Sequence, residues 1–393
     1  NVESISGDDY YKTASLGATA LFQNLLGTGY GMVGYGAHED PYEDGKWRHS
    51  GHIKYCYTGL LPIFEISADF NDRAAMDIQK IQVTKERMYR LYNKGTLTDK
   101  PYFEGGLKVY IPFNFSSGGI NRGLIPQVKY KFTNDRYNDQ ILFQHIVKKD
   151  GKDVTETYST IGENNISPLQ TLDASIRGYV MRQKAPSQVF PSLGFGAELG
   201  FHFRPGHMKA YNPTAYLYTY GYLPGFTARQ GLRLTASMEV WYGPYEEGGI
   251  MEGALTAIPR GFVDTNLKSI INSCSESRWR VTADYAIPFA DVDWSFLSPV
   301  AYVKNFELTP FFDWSYQTFS WNHELHYNPG AVTGENLFSV GADLTVRLGN
   351  FFWLPYDTQI GIRYARNFWH YIDRFPISNL NKDYIGWIFS ISL

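Results

Sequence analysis

The chain has 393 residues with 36 basic and 39 acidic side chains, and its formal charge of −3 lacks the positive field that non-specific nucleic-acid binding requires. Nowhere do about 18 apolar residues follow one another, so a helical membrane span is excluded, and 37 glycines with 19 prolines are too few for a low-complexity coil. Two cysteines, Cys56 and Cys274, cannot build a disulfide framework or a zinc knuckle by themselves.

Residues 1–9 read as a short N-terminal segment without a charged-then-apolar leader, which is the expectation for a processed chain with an upstream domain missing. From there the dominant signal is period-two alternation, which sends successive side chains of an extended chain to opposite faces. Copies run through 11–23, 28–37 and 52–58, then through Phe64, Ile66, Ala68 and Phe70 set against Glu65, Ser67 and Asp69. They continue at 103–113, at Val128, Tyr130 and Phe132, and at 172–182, 193–203 and 214–222. Leu232, Leu234, Ala236, Met238 and Val240 alternate with Arg233, Thr235, Ser237 and Glu239, and 279–287 and 300–314 follow. Val340 to Leu348 alternates again, before 358–366 and 384–393, for fifteen strands and no amphipathic helix.

Strands of roughly ten residues exceed the usual soluble length and match a tilted crossing of a bilayer. The connections alternate in size. Short ones fall at Leu25–Gly27, Gly59–Pro62, Asn114–Gly123, Lys184–Ser192, Leu223–Gly231 and Asn350–Asp357, while 38–50, 73–101, 135–170, 243–278, 317–336 and 367–383 are long and polar. That asymmetry, with aromatic residues at 17% gathered near strand ends, predicts an all-β fold: one transmembrane antiparallel β-barrel over 1–393 in a bacterial outer membrane, with short periplasmic turns and long extracellular loops. Barrels of one chain have even strand numbers, so fourteen or sixteen strands are expected. Within the loops, Met88–Tyr92 and Ile141–Val147 are apolar enough to order, as strands above the membrane or as contact surface for another chain.

The last strand, Tyr384 to Leu393, resembles the C-terminal assembly signal of outer-membrane barrels in Gly386, Phe389, Ile391 and the terminal apolar Leu393, although Leu stands where Phe is more usual. The resemblance implies insertion by the outer-membrane assembly machinery. Leu26-Gly-Thr-Gly-Tyr-Gly-Met-Val-Gly-Tyr35, Lys46-Trp-Arg-His-Ser-Gly-His52, Tyr110 to Gly119 and Phe296 to Asn305 resemble the C-terminal barrel region of large Bacteroidota envelope proteins that carry a TolB-type β-propeller. This implies a barrel with a periplasmic domain upstream, and no established activity.

On the polar strand faces stand the acids Glu65, Asp69, Asp173, Glu198, Glu239, Asp284, Glu307 and Asp343 and the bases Lys54, Lys108, Lys129, Lys131, Arg177, Arg233, Arg280, Arg347 and Arg363. We read these as lumen-lining. Charges so placed must pair or stay hydrated, and their balance fits either a water-filled or a cross-linked lumen. No one-sign ring of a selective channel is evident. His38, Glu39, Asp40, His49, His52 and the pair His323 and His326 read as solvated loop groups, so neither metal nor cofactor is expected. No Gly-x-Ser-x-Gly elbow is present and no catalytic residue is assigned, with a phospholipase or protease assembled from separate strand ends the enzymatic alternative. The sequence therefore points to a structural or assembly subunit of an envelope complex, or else to a porin-like channel for small polar solutes. Expected partners are membrane lipid, lipopolysaccharide, the assembly machinery, and proteins at the extracellular loops or periplasmic face.

Overall fold

The computed structural model describes residues 16–43, 45–85, 88–185, 188–206, 213–241, 258–262, 275–295, 300–320, 332–351, 357–368 and 382–392. They form β1 (Leu16–Gln23), β2 (Gly29–Glu39), β3 (Trp47–Tyr57), β4 (Ile63–Lys85), β5 (Met88–Tyr110), β6 (Phe113–Asn114), β7 (Ile120–Lys149), β8 (Lys152–Ile161) and β9 (Ile166–Arg182). The second half adds β10 (Gly194–Phe203), β11 (Thr214–Pro224), β12 (Gly231–Trp241), β13 (Ser275–Trp294), β14 (Tyr302–Ser320), β15 (Val332–Gly349), β16 (Asp357–Phe368) and β17 (Asp383–Ser392). No helix among the described residues is long and apolar enough to cross a membrane.

The wall is an antiparallel succession from β1 to β5, then β7, then β9 to β17, each strand laddered to the next. These fifteen strands coincide one for one with the fifteen alternating stretches of the sequence. A sixteenth would have to come from outside the described residues.

Alternation decides which way each face points. On β15, Val340 and Leu344 are 45% and 47% exposed, whereas Ser339, Asp343, Thr345 and Arg347 are buried. On β14, Leu308 and Phe312 are exposed while Glu307, Thr309, Phe311, Asp313 and Ser315 are buried. The molecule is thus apolar outside and polar inside, the inverse of a soluble sandwich and the arrangement lipid requires of a spanning barrel.

Two of the expected loops are not loops. Segments 73–101 and 135–170 are mostly strand, because β4, β5 and β7 run on well past the wall and β8 turns back along β7. Within the wall β5 lies between β4 and β7. Above it β4 swings in beside β7 as a parallel pair, from Asp77 opposite Arg136 to Thr84 opposite His145. The outer sheet therefore runs β5, β4, β7, β8. Apolar residues that the polar lumen cannot take collect here: Tyr137, Ile141, Phe143 and Leu169 form a small core, with Ile78 and Tyr158 against it. That explains the apolar stretch at Ile141–Val147, which orders as a strand between β4 and β8.

A joint connects wall and outer sheet. The β4–β5 ladder shifts register between Phe70 and Ala74 and again before Met76, as an inserted residue in a bulge requires. Asp135 receives both terminal guanidinium nitrogens of Arg73, at 3.0 and 2.5 Å, and the Met76 amide at 2.8 Å. Asn134 bonds the Phe103 amide and the Pro101 carbonyl, both at 2.8 Å.

Candidate functional site

The inward polar face is a set of cross-strand pairs. On the β3–β5 and β7 side, Lys54 meets Glu65 at 3.1 Å, Asp69 meets His52 at 2.8 Å, and Lys131 pairs with Glu104. Lys108 lies opposite both Glu65 and Lys129 in register, with its ammonium 5.0 Å from the Tyr110 ring centre, and Lys129 also stands opposite Asp173. Further round, Asp173 is bonded to His202, Glu198 accepts the Tyr216 hydroxyl at 2.8 Å, and Arg177 donates to the Tyr220 hydroxyl at 3.2 Å. On the β12–β16 side, Arg233 meets Asp284 at 2.8 Å, Arg278 meets Glu239 at 3.7 Å, Arg347 meets Glu307 at 3.2 Å and Arg363 meets Asp343 at 2.8 Å.

These two sides differ in burial. Side chains of Lys54, Glu65 and Asp69 keep 43, 21 and 35% of their exposure, whereas those of Glu239, Asp284, Glu307 and Arg347 keep 7% or less. On the second side Asp284 is covered by a further segment of the chain. Residues Ile258–Phe262, from the middle of the long β12–β13 connection, sit against the inner face of β13 to β16. The sequence reading leaves 243–278 as an outward polar loop; this part of it goes inward.

Arg260 is the centre of the contact. Its backbone amide and Nε donate to Asp313 Oδ2 at 2.8 and 2.9 Å, and its Nη2 lies 2.6 Å from both Asp313 Oδ1 and Asp284 Oδ1. The guanidinium carbon is 3.9 Å from the centre of the Phe311 ring, and Arg280 reaches Asp313 from the other side at 3.3 Å. Ser339 donates to the Arg260 carbonyl, and Asn367 Nδ2 donates to the Gly261 carbonyl at 2.8 Å. Four successive strands thus hold one pentapeptide. Gly261 has φ +96°, and a Cβ there would fall 2.7 Å from the Ala365 Cβ, so both the conformation and the close approach require glycine. Ile258 and Phe262 are 4% and 3% exposed, which removes their apolar surface from an otherwise polar interior.

Arg260, Asp313, Ser339 and Asn367 are absent from the sequence-derived list. Asp313 was findable by carrying the β14 alternation six residues beyond Glu307. For Arg260 the signal is an apolar island, Ile-Pro-Arg-Gly-Phe, inside a polar connection. Of the C-terminal residues, Gly386 and Phe389 lie in β17 with Phe389 opposite Ile360, and Ile391 is laddered to Thr358. Leu393, Cys274, His323 and His326 lie outside the described residues.

No protein-family model matches the chain, and no curated protein matches it in sequence. Among solved structures it is similar to CdiB from Escherichia coli, at TM-score 0.50 and 8% identity over 97% of this chain. It is also similar to BamA from Haemophilus ducreyi lacking POTRA domains 1–3, at TM-score 0.43 and 11% identity over 96% of this chain and 67% of that one. The chain spans 60% of the CdiB chain. At this identity the likeness is one of fold: the chain has a transmembrane β-barrel of the outer-membrane type.

Proposed function

We propose that this barrel is a structural or assembly subunit of an outer-membrane complex, with its lumen occupied by its own chain. The observation that carries the reading is the seating of Ile258–Phe262 on β13 to β16 through Arg260. A pore selected for flux gains nothing from placing a desolvated arginine and two buried apolar side chains across its wall. The outer sheet supports the same reading, since it adds a folded surface above the mouth where a protein partner can dock. The resemblance to propeller-bearing envelope proteins supports a second attachment on the periplasmic face. Lipid and lipopolysaccharide meet the apolar belt, and the assembly machinery reads the β17 end. Extraction of outer membranes in mild detergent tests the reading: the barrel is expected in a complex larger than its own mass, and migration as a lone barrel under every extraction condition refutes it.

A second reading, a channel for small polar solutes, draws on the partly exposed Lys54, Glu65 and Asp69 of β3 and β4.

A further inference from the structure

At the upper mouth of the lumen, β3 and β4 bring three ligand-type side chains together. His52 and Asp69 are register partners on the inward face. Asp72 lies three residues beyond Asp69, and regular alternation would turn it to the lipid face. The β4 irregularity prevents this. Asn71 takes φ +64°, and its side chain is held by the His49 carbonyl at 2.8 Å and by Arg48 at 3.1 Å. Asp72 is thereby brought back to His52, with its own carbonyl accepting from His38 Nε2 at 2.8 Å.

The result is one imidazole between two carboxylates: Nδ1 is 2.8 Å from Asp69 Oδ1, and Nε2 is 3.3 Å from Asp72 Oδ1. A neutral ring carries a single N–H, so it can donate to one carboxylate only and turns a lone pair toward the other. The three ligand atoms lie within 4.8 Å of one another. The neighbouring cations are committed elsewhere: Lys54 to Glu65, Lys131 to Glu104, Arg73 to Asp135, and Arg48 to Asp40 and Glu43. Two carboxylates on one imidazole are therefore a donor set that suits a divalent ion. All three side chains keep about a third of their exposure, so an ion can reach them from the lumen.

We propose that His52 Nε2 and Asp72 hold a divalent transition-metal ion of the zinc type, with Asp69 fixing the ring through Nδ1. Two donors each about 2.1 Å from a tetrahedral ion stand about 3.4 Å apart, close to the separation found here. A carboxylate on the far nitrogen is the usual outer partner of a metal-bound histidine. Ser50 Oγ lies within hydrogen-bond distance of the same nitrogen, at 3.2 Å, and water supplies the remaining ligands. The ion ties β3 to the β4 irregularity from which the outer sheet departs. It supersedes the sequence reading of His52 as a solvated loop histidine.

Zinc titration by calorimetry on the full folded barrel in detergent tests the site, with cobalt absorption as a second probe and heat-modifiable mobility confirming that each variant is folded. The wild type is expected to bind one more zinc ion than His52→Ala or His52→Gln, and its tetrahedral cobalt band is expected to vanish in both. Asp72→Asn should weaken that ion at least about tenfold, and Asp69→Asn about 10- to 100-fold with stoichiometry retained. The proposal is overturned if the folded histidine variants bind as many zinc ions as the wild type, or if Asp72→Asn leaves the affinity unchanged.

Discussion

Replacing Arg260 with alanine is the sharpest perturbation of the seated segment. The change removes two side-chain donors to Asp313, the contact with Asp284 and the stacking over Phe311, while the backbone amide keeps its bond. Deleting one member of a buried ion pair costs about 3–5 kcal/mol when the partner is left alone. Here Asp313 retains Arg280 at 3.3 Å and Asp284 retains Arg233 at 2.8 Å, which places the loss near the lower end, at about 3 kcal/mol. Since about 1.4 kcal/mol is a factor of ten, the undocked population should rise about 100-fold. Ser339 is fully buried with its hydroxyl on the Arg260 carbonyl, so cysteine at that position reports the undocked state. In a background with Cys56→Ala and Cys274→Ser, Ser339→Cys should react with a bulky maleimide about two orders of magnitude faster when Arg260→Ala is added. Equal labelling rates in the two barrels would mean that Arg260 does not hold the segment, and the reasoning would fail.

Leu344→Arg, on the lipid face of β15, should destabilise the barrel by about 2–4 kcal/mol in chemical unfolding from bilayers, whereas Thr345→Arg should cost less because Glu307 faces it in register. Arg73→Ala should loosen the outer sheet while sparing the wall, seen as faster hydrogen exchange in Met76–Val83 and Arg136–Val147 with β12 to β16 unchanged. In the β2–β3 turn, burial works to raise the Asp40 carboxyl, but the Tyr42 amide at 2.8 Å and the Arg48 guanidinium outweigh it and hold the group below its ordinary 3.8. Its stabilising contribution is therefore complete above that ordinary value and is lost as pH falls through the lower folded one. The Tyr42 amide should accordingly lose exchange protection only in acid, and Asp40→Asn should abolish the pH dependence; an unchanged profile would remove Asp40 from the turn's stability.

The wall was legible because lipid outside and water inside impose opposite polarity on alternate residues, and that contrast is written directly into stretches such as Val340–Leu348. Segments above the membrane carry no such contrast. Met76–Val83 and Ile141–Val147 bury their apolar residues against each other, by a parallel pairing that neither stretch encodes alone. The inward charges were legible as a class, but their partners were not, since register joins residues as distant as Arg233 and Asp284. Arg260 was hidden for a different reason: its contacts join one residue of the long β12–β13 connection to strands distant in sequence, and only the island of apolar residues around it hints at that. The meeting of His52 with Asp72 depends on one residue in the left-handed region, Asn71, which breaks the alternation used to read every other strand.

Conductance of the purified full chain in planar bilayers tests the central claim most directly. An assembly subunit whose lumen wall carries its own Arg260 segment is predicted to give no steady conductance of porin size, with openings appearing when Arg260→Ala releases the segment. A steady, porin-sized current from the wild-type barrel, unchanged by Arg260→Ala, would contradict the account and leave the solute channel in its place.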